Sequence, residues 1–384
     1  MTNAEKALEL HEKWNGKLEI TSKAKVKSRE DLALAYTPGV AEPCKKIAED
    51  KELAYKYTMK ANTIAVISDG SAVLGLGNIG AAAGMPVMEG KAVLFKEFAG
   101  VNAIPICLDT QDTEEIIKAV TYLAPNYGGI NLEDIAAPRC FEIEERLKET
   151  LDIPVFHDDQ HGTAIVVLAG VINSLKVTGK KKEECKVVVN GAGSAGIAIT
   201  KLLLRYGFTD VTMCDKEGII CSSYPNLNWM QKKMLEQTNK KDVSGKLADV
   251  LVGADVFVGV SAPGIVSQDM VRSMNKDAIL FAMANPTPEI MPDLAKEAGA
   301  RVVGTGRSDF PNQVNNVLVF PGIFKGALEA RVPQITEDMK LAAANALAEL
   351  ISDDELSDEN ILPAAFDPRC AEAVSEAVKR FANK

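Results

Sequence analysis

Hydrophobic positions along the chain fall into two alternating kinds of segment. Short aliphatic runs such as Ile64-Ala65-Val66-Ile67 and Ala92-Val93-Leu94-Phe95 read as strands, and Thr113 to Leu123, with its helical spacing, reads as a helix. This alternation predicts an α/β fold with largely parallel sheets. A long apolar helix, Ala164 to Leu175, precedes a polar break at Val177 to Cys185, and the domain boundary is placed at this helix. The expected division is an N-terminal α/β domain over residues 1–160 and a C-terminal doubly wound domain over residues 161–384. The second half is the more regular. Strands are expected at Val187 to Val189, Val211 to Cys214, Val256 to Val260, Ile279 to Met283 and Val302-Val303, with helices between them. Two further helices, Glu337 to Ile351 and Ala371 to Phe381, close the chain.

The pattern Gly-x-Gly-x-x-Gly occurs twice, at Gly75, Gly77, Gly80 and at Gly191, Gly193, Gly196. A dinucleotide loop needs a strand running into its first glycine and a helix opening at its third, so that bare N–H groups and the helix N-terminus face the pyrophosphate. The second copy meets this demand: Lys186 to Asn190 feeds Gly191-Ala192-Gly193-Ser194-Ala195-Gly196, and Ile197 to Tyr206 leaves as a helix closed by Gly207. Asp215 ends the next strand, 24 residues after Gly191, where a carboxylate can take the ribose hydroxyls. A Rossmann-type NAD(P)-binding domain follows, against the alternative of an unliganded strand-to-helix turn. In the first copy, Gly84 and Pro86 are expected to interrupt the helix, which argues against a nucleotide there.

A net charge of −10 and an isoelectric point near 5.1 argue against nucleic acid as a partner, because neutralising phosphates takes clustered Lys and Arg. Met1 to Lys17 lacks the apolar stretch of a leader, and no segment is expected to reach the roughly eighteen apolar residues of a membrane span. Seven scattered cysteines without a Cys-x-x-Cys pair read as reduced thiols, and hence a cytoplasmic protein.

Two acidic pairs stand in the first half, Glu133-Asp134 after Gly128 to Asn131, and Asp158-Asp159 before the helix at Thr163. Two or three carboxylates with water suit Mg²⁺ or Mn²⁺. A charged helix start for the first pair and an N-cap for the second are the plainer alternatives. Tyr36 lies on a Pro-Gly turn, and Lys91 is expected to open the strand at Ala92; either can do acid–base work if its pKa is lowered, or can be simple packing and surface.

Together these residues resemble the malic enzymes, in their short bacterial form, over nearly the whole chain. The matching segments are Tyr36 to Val40, Gly75 to Gly80, Glu89 to Lys91, Asn131 to Ile135, His157 to Thr163, Gly191 to Gly196, Asn285 to Thr287, and Asn315-Asn316 before Phe320-Pro321-Gly322. The resemblance implies oxidative decarboxylation of (S)-malate to pyruvate and CO₂ with NAD or NADP, in a homodimer. It makes Tyr36 the acid that protonates the enol, Lys91 the base for the hydroxyl proton, and Glu133, Asp134 and Asp159 the ligands of Mg²⁺ or Mn²⁺. Asn285 and Asn316 would contact substrate or cofactor, with Asn315 beside them, and the first glycine loop would wall the substrate cleft. Longer members carry a carboxylate-binding arginine where this chain has Ala72, so backbone N–H groups near Gly75 to Gly80, the asparagines and the metal are the expected replacements.

The alternatives are a malate dehydrogenase that does not decarboxylate, separated by CO₂ release, and a nucleotide-sensing regulator, which needs a partner-binding module that is not evident. Asp215 favours a free ribose hydroxyl and hence NAD, whereas Lys216 could meet the phosphate of NADP.

Overall fold

A computed structural model describes residues 2–73 and 75–382. Met1, the start of the stretch expected to lack a leader, lies outside them. Four helices come first: α1 (Asn3–Trp14), α2 (Arg29–Ala35), α3 (Ala41–Glu49) and α4 (Ala54–Tyr57), none with a buried residue. A parallel four-stranded sheet follows, built from β1 (Thr63–Ser68), β2 (Asn102–Cys107), β3 (Gly129–Leu132) and β4 (Val155–His157) in the order β2-β1-β3-β4. Helices α5 (Gly80–Ala99), α6 (Thr113–Leu123) and α7 (Arg139–Thr150) connect its strands.

Helix α8 (Asp158–Thr178) leads to the second sheet, in the order β10-β9-β8-β5-β6-β7. Its strands are β5 (Lys186–Asn190), β6 (Asp210–Asp215), β7 (Gly218–Ile219), β8 (Val256–Gly259), β9 (Ala278–Ala282) and β10 (Ala300–Thr305). Helices α9 (Ser194–Tyr206), α10 (Trp229–Leu235), α11 (Leu247–Leu251), α12 (Gln268–Arg272) and α13 (Pro292–Glu297) intervene, and α14 (Phe320–Ala330), α15 (Glu337–Ala348) and α16 (Arg369–Ala382) follow. Counted from its own first strand, the sheet runs 3-2-1-4-5-6, the doubly wound Rossmann order. The expected five strands become six, because β7 adds to β6 in the antiparallel direction.

Three expectations need correction. Ala92 to Phe95 is not a strand but the middle of α5, and Lys91 therefore lies on a helix. A continuous apolar run does not by itself distinguish a strand from a buried helix. Nor do Gly84 and Pro86 stop that helix. Pro86 gives up one internal hydrogen bond, a cost of about 3 kcal/mol. Burial of Met88, Ala92 and Phe95 just beyond it offsets that cost, since a large apolar side chain gains about 1.5–3 kcal/mol when buried. Finally, α8 is long and apolar enough to cross a membrane by length and composition, yet 72% of its most apolar window is buried inside the protein. It is a core helix packed against α9 and α15.

The two halves are stitched by aromatic rings. Phe95 of α5 meets Phe320 and Phe324 of α14 at centroid distances of 4.7 and 5.4 Å, both edge-on, and Phe156 of β4 meets Phe324 at 5.8 Å. All four are fully buried. Edge-to-face pairs gain beyond their buried area, so α14 belongs to the core of the first sheet although it follows the second. Phe324→Ala should lower unfolding free energy by about 3–5 kcal/mol. A loss under about 1 kcal/mol in urea titrations would show that these rings do not hold the halves together.

Candidate active site

Strand β5 ends at Asn190, the loop Gly191 to Gly193 turns, and α9 opens at Ser194. A Cβ on Gly196 would lie 1.7 Å from the Gly191 carbonyl oxygen, so only glycine lets the helix sit this close to the loop. The loop stands at the point where the strand order reverses, between β5 and β8, where α/β sheets bind their ligands. Asn190 Nδ2 donates to Ser261 Oγ at 2.6 Å across this crevice. Buried Glu289 accepts from Ser261 N and Ala284 N, at 2.8 and 2.9 Å, and so fixes the loops after β8 and β9.

The crevice opens into a cleft of about 490 Å³. Gly193 to Gly196, Asn285, Asn315 and Asn316 line one side of it, and Ala72, Gly75, Asp134 and Asp159 the other. That volume suits a small substrate with the reactive end of a cofactor. The first glycine loop thus does contribute to the wall.

The metal-type carboxylates come from two turns. Glu133 and Asp134 follow β3, with Asp134 in the left-handed region at φ 55°, and Asp159 lies in the first turn of α8. Ligand oxygens of all three lie within 4.8 Å of one another. Neither plainer reading holds: Glu133 and Asp134 start no helix, and Asp159 accepts from Asp134 N at 2.8 Å instead of capping α8. Burial pushes the Asp134 carboxyl up to about 8, with the Asp159 and Glu133 charges adding to it, and pushes Asp159 up to about 6. Crowded, desolvated carboxylates of this kind call for a counter-charge.

Lys91 supplies part of that charge. Its Nζ lies 2.7 Å from Glu133 Oε1 and 2.6 Å from Asp158 Oδ2, and 4.2 Å from the centre of the Phe320 ring. Burial opposes its charge, but Asp158 and Glu133 outweigh burial and hold the ammonium above the ordinary lysine range. Asn316 Nδ2 donates to the same Asp158 oxygen at 2.6 Å.

Comparison with known proteins gives the family. Residues 15–148 match the malic enzyme N-terminal domain, and residues 160–382 the malic enzyme NAD-binding domain. A bifunctional malic/malolactic enzyme from Bacillus subtilis is 60% identical over 383 residues, covering 100% of this chain and 93% of that protein. An NAD-dependent malic enzyme from Geobacillus stearothermophilus is 59% identical, over 94% of this chain and 76% of that one. The crystal structure of an NAD-dependent malic enzyme from Thermotoga maritima superposes with a TM-score of 0.94 at 51% identity, covering 97% and 98% of the two chains.

The chain belongs to the malic enzyme family.

Within this malic enzyme fold, the expected residues Lys91, Glu133, Gly191 and Ala192 are outside the lining of the cleft, and Tyr36 and Asp215 stand apart from it as well. Tyr36 is 66% exposed at the end of α2 and does not line the cleft. Asp215 ends β6 outside the lining, but Gln231 donates to it at 3.0 Å and also reaches the Ala192 carbonyl at 3.3 Å, tying it to the glycine loop. The Ala72 substitution is narrowed as well. The N–H groups of Leu76, Gly77, Ile79 and Gly80 are spent on Val73 and Gly70, which takes them out of the expected carboxylate-binding set. No arginine lines the cleft among the described residues. Of the other expected groups, Asn285, Asn315 and Asn316 line the cleft.

Sequence reasoning missed Glu289 and Gln231, and it named Asp158 only as a possible metal carboxylate or cap, without its contact with Lys91. A signal for Asp158 existed in Gly162: a Cβ there would lie 1.8 Å from Asp158 Oδ1, since that carboxylate folds back over the glycine. Gly162→Ala should therefore push Asp158 off Lys91 and lower kcat on the order of 100-fold. NADH fluorescence titration should show cofactor affinity unchanged; an undiminished kcat would remove Asp158 from the site's machinery.

Proposed function

We propose that this malic enzyme oxidatively decarboxylates (S)-malate to pyruvate and CO₂ while reducing NAD or NADP, with Mg²⁺ or Mn²⁺ held by Glu133, Asp134 and Asp159. The observation that carries this reading is that one cleft is lined by the Gly193 to Gly196 segment and by Asp134 and Asp159. The donor set fits a hard divalent cation, being all carboxylate oxygen and clustered, with Glu133 and Asp134 buried and Asp159 half-buried. When bound, the nicotinamide supplies the hydride acceptor and the cation a Lewis acid opposite the charge that develops on the substrate.

The chain's own groups do the rest. N–H groups of the glycine loop and the α9 N-terminus hold the pyrophosphate. Asn285, Asn315 and Asn316 orient the acid. Lys91 Nζ, positioned by Asp158 and Glu133, takes the proton from the C2 hydroxyl; its ammonium is now held by those carboxylates, and a cation on Glu133 would offset the negative charge that keeps it protonated. Tyr36 Oη returns a proton to C3 after CO₂ has left. Asp215, held by Gln231, favours the free ribose hydroxyl of NAD. Seven free cysteines suit a reducing compartment, here read as the cytoplasm.

Tyr36 can reach such chemistry only through a second copy of the chain. Helices α1 to α4 bury nothing, and they and the segments between and just after them expose Leu8, Ile20, Leu34, Tyr36 and Met59, apolar surface that a homodimer would cover. In this reading each Tyr36 serves the partner's cleft.

With malate and Mn²⁺, the protein should reduce NAD faster than NADP and release one CO₂ per cofactor reduced. Reduction without CO₂ would mark a simple dehydrogenase. Chelation by EDTA should abolish turnover, and calorimetry should show Mn²⁺ binding lost in Asp159→Ala but kept in Tyr36→Phe. Mixing these two inactive variants should restore about a quarter of wild-type activity through heterodimers with one intact site. No recovery after subunit exchange would place Tyr36 in its own chain's cleft.

A further inference from the structure

A second cavity, of about 140 Å³, lies away from the cleft, lined by residues of α7, α8, α9, α10 and α15. A water needs only about 10–15 Å³ of such space, so the cavity admits a molecule of several heavy atoms. Its one buried carboxylate, Glu144, is already saturated. It accepts from His157 N at 3.2 Å and from His161 Nε2 at 2.8 Å, and pairs with Lys148 Nζ at 2.7 Å. With Nε2 donating to Glu144, the His161 Nδ1 accepts from Lys340 Nζ at 3.0 Å, since an ammonium can only donate.

The unspent groups are donors. Lys340, 2% exposed, uses a second proton on Glu337 at 2.6 Å and keeps a third. Lys201 makes no hydrogen bond or ion pair among the described residues, although burial pulls its pKa down. Gln160, 3% exposed, has an amide nitrogen without a partner. The other two carboxylates of the lining, Glu145 and Glu337, are exposed to water, which screens them. The rest of the wall is apolar: Phe141, Ala164, Ala198, Leu202 and Met230.

We propose that this cavity binds a small organic acid anion, its carboxylate taken by Lys201, Lys340 and Gln160 and its carbon skeleton by the apolar wall. Buried donors without acceptors are costly, and an anion with a hydrocarbon part satisfies both kinds of surface at once. Inorganic phosphate has nothing to offer the apolar half. The occupant would touch both functional elements of the chain. Gln160 and His161 directly follow Asp158 and Asp159 on α8, and Lys201 lies on the helix that leaves the glycine loop. The site is separate from the cleft, so it stands or falls independently of the function proposed above.

Succinate is a suitable probe, titrated by calorimetry into the full-length protein loaded with Mn²⁺ and NAD. A site that survives saturation of the cleft should weaken by about tenfold or more in Lys201→Met. Ala198→Met, which fills the cavity without touching a charge, should weaken it equally and decides the matter if the first variant folds poorly. Malate turnover of Lys201→Met should stay within about twofold of wild type when no succinate is present. Equal succinate stoichiometry and affinity in wild type and both variants would overturn the proposal. So would phosphate displacing succinate from the cavity.

Discussion

The site is organised around one buried cation. Lys91 is 9% exposed and its ammonium lies between Asp158 and Glu133. Removing either partner of such a buried pair costs about 3–5 kcal/mol, because the survivor is left charged and dry. The arrangement therefore fixes the relative positions of three elements: α5 carrying Lys91, the turn after β3 carrying Glu133, and the first turn of α8 carrying Asp158. Asn316 adds a fourth, from the segment just before α14. Glu133, Asp158 and, through Asp158, Asn316 are thereby held in register by one lysine.

Around this centre the chain is folded so that neither half closes alone. Helix α8 begins at the acidic site and ends beside the second sheet, and α14 returns to lay Phe320 and Phe324 on Phe95. Phe320 contributes twice, packing in the core and presenting its ring to the Lys91 ammonium. Apolar packing and polar chemistry thus meet at one side chain.

Much of the second half was legible because its logic is local. A strand, three glycines, a helix and a carboxylate at the end of the next strand are all decided within about thirty residues. The carboxylates and Lys91 were legible as residues, chiefly through resemblance, but not in their surroundings. Asp158 looked like a cap because capping is what an acidic residue before a helix ordinarily does, and only the long-range approach of Lys91 and Asn316 gives it another task. Pro86 and the run at Ala92 misled because local propensity there is overridden by burial against α14, more than 200 residues away in sequence. Tyr36 was identified by its motif, while its exposure is a property of the folded surface.

The stitching of α14 onto the first sheet also has a consequence for how the protein can be made. The first sheet is complete in sequence by His157, yet the pocket that buries Phe95 and Phe156 has no lid until residues 320–324 exist. On the ribosome the N-terminal half must wait with those rings open to water while roughly as many residues again are synthesised, so its apolar core closes late and only together with the end of the chain.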